Sequence, residues 1–160
     1  MRERTICRQP MMQDLMQVYR EVVEKCPMGV TQTEVYQLVV QHPAPRFYID
    51  PRRAHSVISP MRRGDFSQLN SLKPLKRQMY LDLFDKVQEL SQQRGGWGKK
   101  LYGLLKEAVL EPAPRFYLSD KRMGQIWLEK VNETRKQRYR RIGKVYEKSD
   151  SCYETVERDN

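Results

Sequence analysis

At 160 residues, with 30 lysines and arginines against 20 acids for a net charge of +10, the chain is sized for one ordinary domain or two very small ones. No stretch approaches the roughly 18 uninterrupted apolar residues of a membrane span, and no charged segment followed by an apolar run marks a secretory leader, so a soluble intracellular protein is expected. Three cysteines (Cys7, Cys26, Cys152) and two histidines (His42, His55) are too few and too scattered for a disulfide framework or a metal centre, and no cofactor motif is present.

Residues 1–9 read as a charged, poorly ordered lead-in. From Pro10, the apolar positions Met12, Leu15, Tyr19, Val22 and Cys26, joined by Val18 and Val23, recur at three and four, which is one face of an amphipathic helix. Pro27-Met28-Gly29 stops it. Thr31-Gln32-Thr33-Glu34 is a capping box, and it opens a second helix with Val35, Leu38 and Val39 on the buried face. Pro43 and Pro45 forbid that helix from continuing past His42. Arg46-Phe47-Tyr48-Ile49 then suits an extended segment. Asp50-Pro51 supplies a carboxylate cap and a proline at the first helical position of a third helix. In it Ala54, Val57, Ile58 and Met61 face inward, and Pro60 is expected to end or kink it near Ser59.

The hexapeptide Pro-Ala-Pro-Arg-Phe-Tyr at residues 43–48 returns unchanged at residues 112–117, followed each time by an aliphatic residue and a helix-cap type: Ile49-Asp50, then Leu118-Ser119. The flanks reproduce the order of elements. Pro74 starts a helix with Met79, Leu83, Val87 and Leu90 on one face and Tyr80 and Phe84 beside it. The cluster Gly95-Gly96-Trp97-Gly98 breaks it. The next helix buries Leu101, Leu104, Leu105 and Ala108, and Ser119 caps a last one in which Met123, Ile126 and Trp127 replace Ala54, Val57 and Ile58. That helix is expected to reach about Ile142, with Gly143 closing it.

The fold class is therefore mainly α: two tri-helical, helix-turn-helix-like units from an internal duplication, packed as one body because units of about 70 residues are marginal alone. At most a short two-stranded β element arises from the two Arg-Phe-Tyr segments. Residues 10–64 form the first unit, 65–73 a polar connection, 74–144 the second unit with its extended basic helix, and 145–160 an acidic, disordered tail.

The basic excess is segregated. Residues 1–50 carry six bases and six acids, residues 51–100 eleven against four, residues 101–144 eleven against five, and the final sixteen two against five. A basic body of this kind meets a polyanion. In the repeated hexapeptide the aromatics plug the core, while Arg46 and Arg115 either pair with a local carboxylate or carbonyl or reach phosphate through their planar forks. The third helix of each unit begins with matched polar groups: Arg52, Arg53 and Ser56 in one, Lys121, Arg122 and Gln125 in the other, with Arg62 and Arg63 at the far end of the first. These suit the start of a recognition helix, where arginine and glutamine pair with guanine and adenine. About eight residues separate the second and third helices, longer than the usual three or four of the motif, so a variant is required. Arg135, Lys136, Arg138, Arg140 and Arg141, interleaved with Tyr139, form a run without acids that fits backbone binding with one aromatic for stacking.

No Gly-rich phosphate loop, His-Glu metal motif or serine elbow is present, so no enzymatic activity is expected. The reading is a non-enzymatic nucleic-acid-binding protein, with double-stranded DNA preferred to RNA. The alternative is a helical adaptor whose basic face docks an acidic protein partner.

Overall fold

A proline on each side of an alanine leaves one backbone N–H where an extended segment would otherwise have three, and this limits what the repeated hexapeptide can build. The computed structural model describes residues 7–96 and 100–153, and the side chains of the last helix as far as Ile142. Six helices run through it: α1 (Arg8–Lys25), α2 (Gln32–Gln41), α3 (Pro51–Arg62), α4 (Pro74–Gln93), α5 (Leu101–Ala108) and α6 (Asp120–Tyr153), with a 3₁₀ turn at Ser67–Ser71. Among the described residues there is no strand. The β element expected from the Arg-Phe-Tyr segments is instead one isolated antiparallel bridge between Ala44 and Ala113. Its two N–H···O bonds are both 2.9 Å. Pro43, Pro45, Pro112 and Pro114 have no N–H to extend the ladder, so pairing stops at the alanines.

Around this bridge the two hexapeptides interlock reciprocally. Phe47 donates its N–H to the Val109 carbonyl at 3.0 Å, and Phe116 donates to Val40 at 3.1 Å. Phe47 stacks on Tyr117 with centroids 6.1 Å apart, and Tyr48 stacks on Phe116 at 5.9 Å. Tyr48 donates its hydroxyl to Asp14 of α1, and Tyr117 donates to Asp82 of α4. Both phenylalanines are 1% exposed. Each contact thus has a partner made by the matching residue of the other copy, the pattern of a two-fold interface in which i meets j and j meets i. Offset stacking of this kind contributes about 0.5–1.5 kcal/mol per pair beyond the area buried.

The helix starts follow the sequence closely. Thr31 and Glu34 form the reciprocal capping box, with the Thr31 N–H donating to the Glu34 carboxylate at 2.7 Å and the Glu34 N–H donating to Thr31 Oγ1 at 3.3 Å. Asp50 accepts from the Arg52 N–H at 2.7 Å ahead of Pro51, and Ser119 accepts from the Arg122 N–H at 3.1 Å.

Helix ends and faces depart from expectation in several places. α3 continues through Pro60 to Arg62: the proline forgoes one i−4 hydrogen bond, but only two helical residues follow it, so little helix is disturbed. α6 runs past Gly143 to Tyr153, since a single glycine costs only about 1 kcal/mol in a helix flanked by good formers. The rest of the acidic tail, 154–160, lies outside the described residues, as do most of the N-terminal lead-in (1–6) and Trp97, Gly98 and Lys99 of the breaker. In α2, Leu38 is exposed and Val40 is buried. The buried face turns toward the interlock, where the Val40 carbonyl is needed as an acceptor for Phe116. Leu90 and Val57 are half-buried, whereas Leu69 anchors the 3₁₀ turn in the core. Arg77 fastens that turn through the Leu69 and Leu72 carbonyls at 3.0 and 3.3 Å.

Packing crosses between the halves of the sequence. α1 packs on α2 and α4 on α5, but α3 packs on α4 and α5. The interlock carries the chain across, so the helix launched from the first hexapeptide finds its helical neighbours in the second half. The chain divides into two compact units, Met1–Met123 and Gly124–Asn160, and both hexapeptides belong to the first. No helix among the described residues is long and apolar enough to cross a membrane.

The two tyrosine–aspartate bonds give a pH signature. Burial first, then the bond to Asp14 or Asp82, pushes each phenol well above its ordinary range. A phenol whose folded pKa exceeds its unfolded value of about 10 contributes stability that is complete below that pH and is lost as pH rises toward the folded pKa. Tyr48→Phe and Tyr117→Phe should each cost about 1 kcal/mol near neutrality. In thermal melts between about pH 9 and 11 the double variant should lose less stability than the native chain.

Candidate nucleic-acid interface

Each hexapeptide is followed by an aliphatic residue and a cap, so the interlock delivers two helix starts to the same place. Ile49 and Asp50 lead into α3, and Leu118 and Ser119 into α6. These segments line a groove of about 1120 Å³ in the first unit. Matching residues appear in it in pairs: Tyr48 with Tyr117, Ile49 with Leu118, and Arg53 with Arg122. Met11 of α1 and Met79 of α4 occupy corresponding places in its walls. The start of α4 adds Lys73 and Lys76, and Asp50 is the single acid among the lining residues. The Asp50 carboxylate is engaged as the α3 cap.

Four cations against one carboxylate give the groove a positive potential, and helix geometry strengthens it. The positive dipole ends of α3, α4 and α6 all lie at the groove. Basic side chains in a first turn oppose that dipole, yet here each of the three starts carries them: Arg52 and Arg53, Lys73 and Lys76, Lys121 and Arg122. Nor does a side chain cap α4 at Lys73. This arrangement is unfavourable for the helices taken alone and favourable for an anion held among them.

Arg53 also reaches inward. Burial raises the phenol of Tyr80 above its usual range, and the charge and hydrogen bond of Arg53 offset part of that shift. Tyr80 is 1% exposed, so the guanidinium is steadied from the core side while its residue remains exposed at the groove.

The other residues read from the sequence are distributed differently. Arg52, Ser56, Arg62 and Arg63 are exposed along α3 and its C-terminal end but do not line the groove, and the Ser56 hydroxyl donates to the Arg53 carbonyl at 2.8 Å. Lys121 is exposed on the first turn of α6. Arg46 and Arg115 stay with the interlock. The Arg46 guanidinium lies 5.8 Å from the Tyr48 ring centre with its Nε buried and unpaired, and Arg115 Nε lies 3.5 Å from the Phe116 carbonyl. In the second unit Gln125, Arg135, Lys136, Arg138, Tyr139, Arg140 and Arg141 are exposed along α6, Tyr139 at 74%.

Lys73 and Lys76 were not among the residues that the sequence pointed to. Their signal was legible in Lys73-Pro74-Leu75-Lys76-Arg77, a helix start whose first turn holds bases and no acid. Among the described residues no group of three His, Cys, Asp or Glu side chains is placed to hold a metal ion. Comparison with family models, curated proteins and solved structures finds no match for this chain.

Because Arg46 and Arg115 lie outside the groove lining, their joint replacement by methionine should leave oligonucleotide affinity within about a factor of two. A binding titration beside a thermal melt separates that outcome from a contact role, in which affinity falls while stability holds.

Proposed function

We propose that this protein is a non-enzymatic nucleic-acid-binding protein whose groove takes phosphates between the starts of α3 and α6. The observation that carries the reading is the convergence of Arg53 and Arg122, at matching positions of the two copies, with Lys73 and Lys76 on one groove containing a single carboxylate. Two arginines present planar forks suited to phosphate oxygens, and three helix starts add the positive ends of their dipoles. The exposed run from Arg135 to Arg141 adds sequence-independent affinity.

An internal duplication is part of this reading. The identical hexapeptide, the reciprocal contacts and the paired groove residues all support two copies of one unit, with the interlock as their common axis. The helix-turn-helix element enters in modified form. In a two-fold pair of that type, recognition helices enter successive major grooves about 34 Å apart. The first turns of α3 and α6 line one groove, so they serve a single stretch of nucleic acid instead of two half-sites. α3 also takes its helical support from α4 and α5, and the recognition unit is accordingly composite.

Binding to an oligonucleotide should weaken steeply with salt, log affinity falling by about 0.7–0.9 for each phosphate contact neutralised. Arg53→Glu with Arg122→Glu should lower affinity and flatten that slope, leaving the helical circular dichroism unchanged. The proposal fails if neither DNA nor RNA binds at low salt. Retention of one stoichiometric acidic protein in place of nucleic acid would move the groove to the adaptor reading.

A further inference from the structure

We infer that the groove is built for a single strand, with phosphates at the cationic rim and unpaired bases turned inward against its apolar walls. This rests on the nucleic-acid reading above and specifies the form of the ligand.

The groove combines two chemistries that a duplex does not use together. Its lining holds Arg53, Arg122, Lys73 and Lys76 together with Met11, Met79, Leu75, Ile49 and Leu118; Arg53 and Lys73 are exposed, whereas Ile49 and Met79 are buried. A duplex presents phosphates outward and keeps its bases stacked inside. Entering this groove, a duplex backbone would set desolvated phosphates against methionine and leucine without gaining any base contact. An unpaired strand has the complementary distribution of charge and apolar surface. Its phosphates remain at the wet, basic edge, and each base has a π-face that leaves water for an apolar or aromatic wall. Tyr48 and Tyr117, half-buried and lining the groove, supply aromatic surface on the matched sides.

Size agrees with this occupant. At about 1120 Å³ the groove slightly exceeds the roughly 300–1,000 Å³ that encloses a drug-sized molecule, so it accommodates a few nucleotides. The paired methionines add tolerance. A flexible, polarizable thioether adapts to differently shaped partners, so the groove should accept different bases with little discrimination.

The test uses the full chain and fluorescence anisotropy. The probes are a labelled oligothymidylate of about 12 nucleotides, within the range a single-strand site spans, and a hairpin duplex of equal length. At equal salt the single strand should bind at least about tenfold more tightly. Leu75 is half-exposed in the first turn of α4, so Leu75→Glu places a carboxylate in the groove without emptying the core. That variant should weaken single-strand binding by about tenfold or more, with duplex binding nearly unchanged. As a measurement independent of any substitution, photocrosslinking with a 5-iodouracil oligonucleotide should label Tyr48, Tyr117, Met11 or Met79. Equal or tighter duplex binding overturns the inference and leaves the nucleic-acid reading standing, as would crosslinks confined to residues 135–141. Absence of binding to either probe removes both.

Discussion

The reciprocal pairing of the two hexapeptides is the constraint on which the first unit depends. Ala44 and Ala113 exchange both of their hydrogen bonds, and the prolines beside them prevent that exchange from growing into a sheet. With the ladder confined to one residue pair, the segments leave the bridge at once and place four aromatic rings in two stacked pairs. Phe47 and Phe116 then close the center, and Tyr48 and Tyr117 fasten the crossing to α1 and α4 through Asp14 and Asp82. Everything downstream inherits this geometry. Two helices are launched from neighbouring points, so their positive ends and first-turn bases meet in one groove.

That meeting is costly in isolation. Three helix starts with basic first turns repel one another, and a fold selected for stability alone would place aspartate or glutamate there. Only Asp50 and Asp120 do so among the residues at the starts of α3 and α6, and both are engaged locally: Asp50 accepts from the Arg52 N–H, and Asp120 bonds the Lys121 N–H and the Gln37 amide. Arg53, Lys73, Lys76 and Arg122 line a groove whose other lining residues are largely apolar. A local arrangement that opposes helix stability in three places at once, with the residues in matched pairs, carries more functional meaning than net charge does.

Much of this was legible in the chain. Capping signals gave the starts of α2, α3 and α6 to the residue, because a carboxylate or hydroxyl before a helical run has one geometry available to it. Buried faces of α4 and α5 followed from their periodicity. Three things were not legible. The destination of α3 depends on the crossing, and no local pattern in Ala54, Ile58 or Met61 says which helices they will meet. That Val40 is buried and Leu38 exposed goes with the end of α2 meeting the second hexapeptide, where Phe116 bonds the Val40 carbonyl, and that partner lies far along the sequence. Lys73 and Lys76 sit at the start of α4, away from the residues that follow each hexapeptide, so the repeat does not point to them. Arg46 and Arg115 show the converse: they lie inside the most conspicuous motif of the chain and remain with its packing.

The crossing also bears on how the molecule is made. The residues that exchange bonds at its center are 69 positions apart, so a loop of that length must close before any of the central contacts forms. Helical proteins ordinarily fold fast because their contacts are local, and this one gives up part of that advantage. During synthesis the first hexapeptide emerges with its partner still unmade, and α4 and α5, on which α3 packs, follow later in the chain. Completion of the fold is therefore tied to completion of the second hexapeptide.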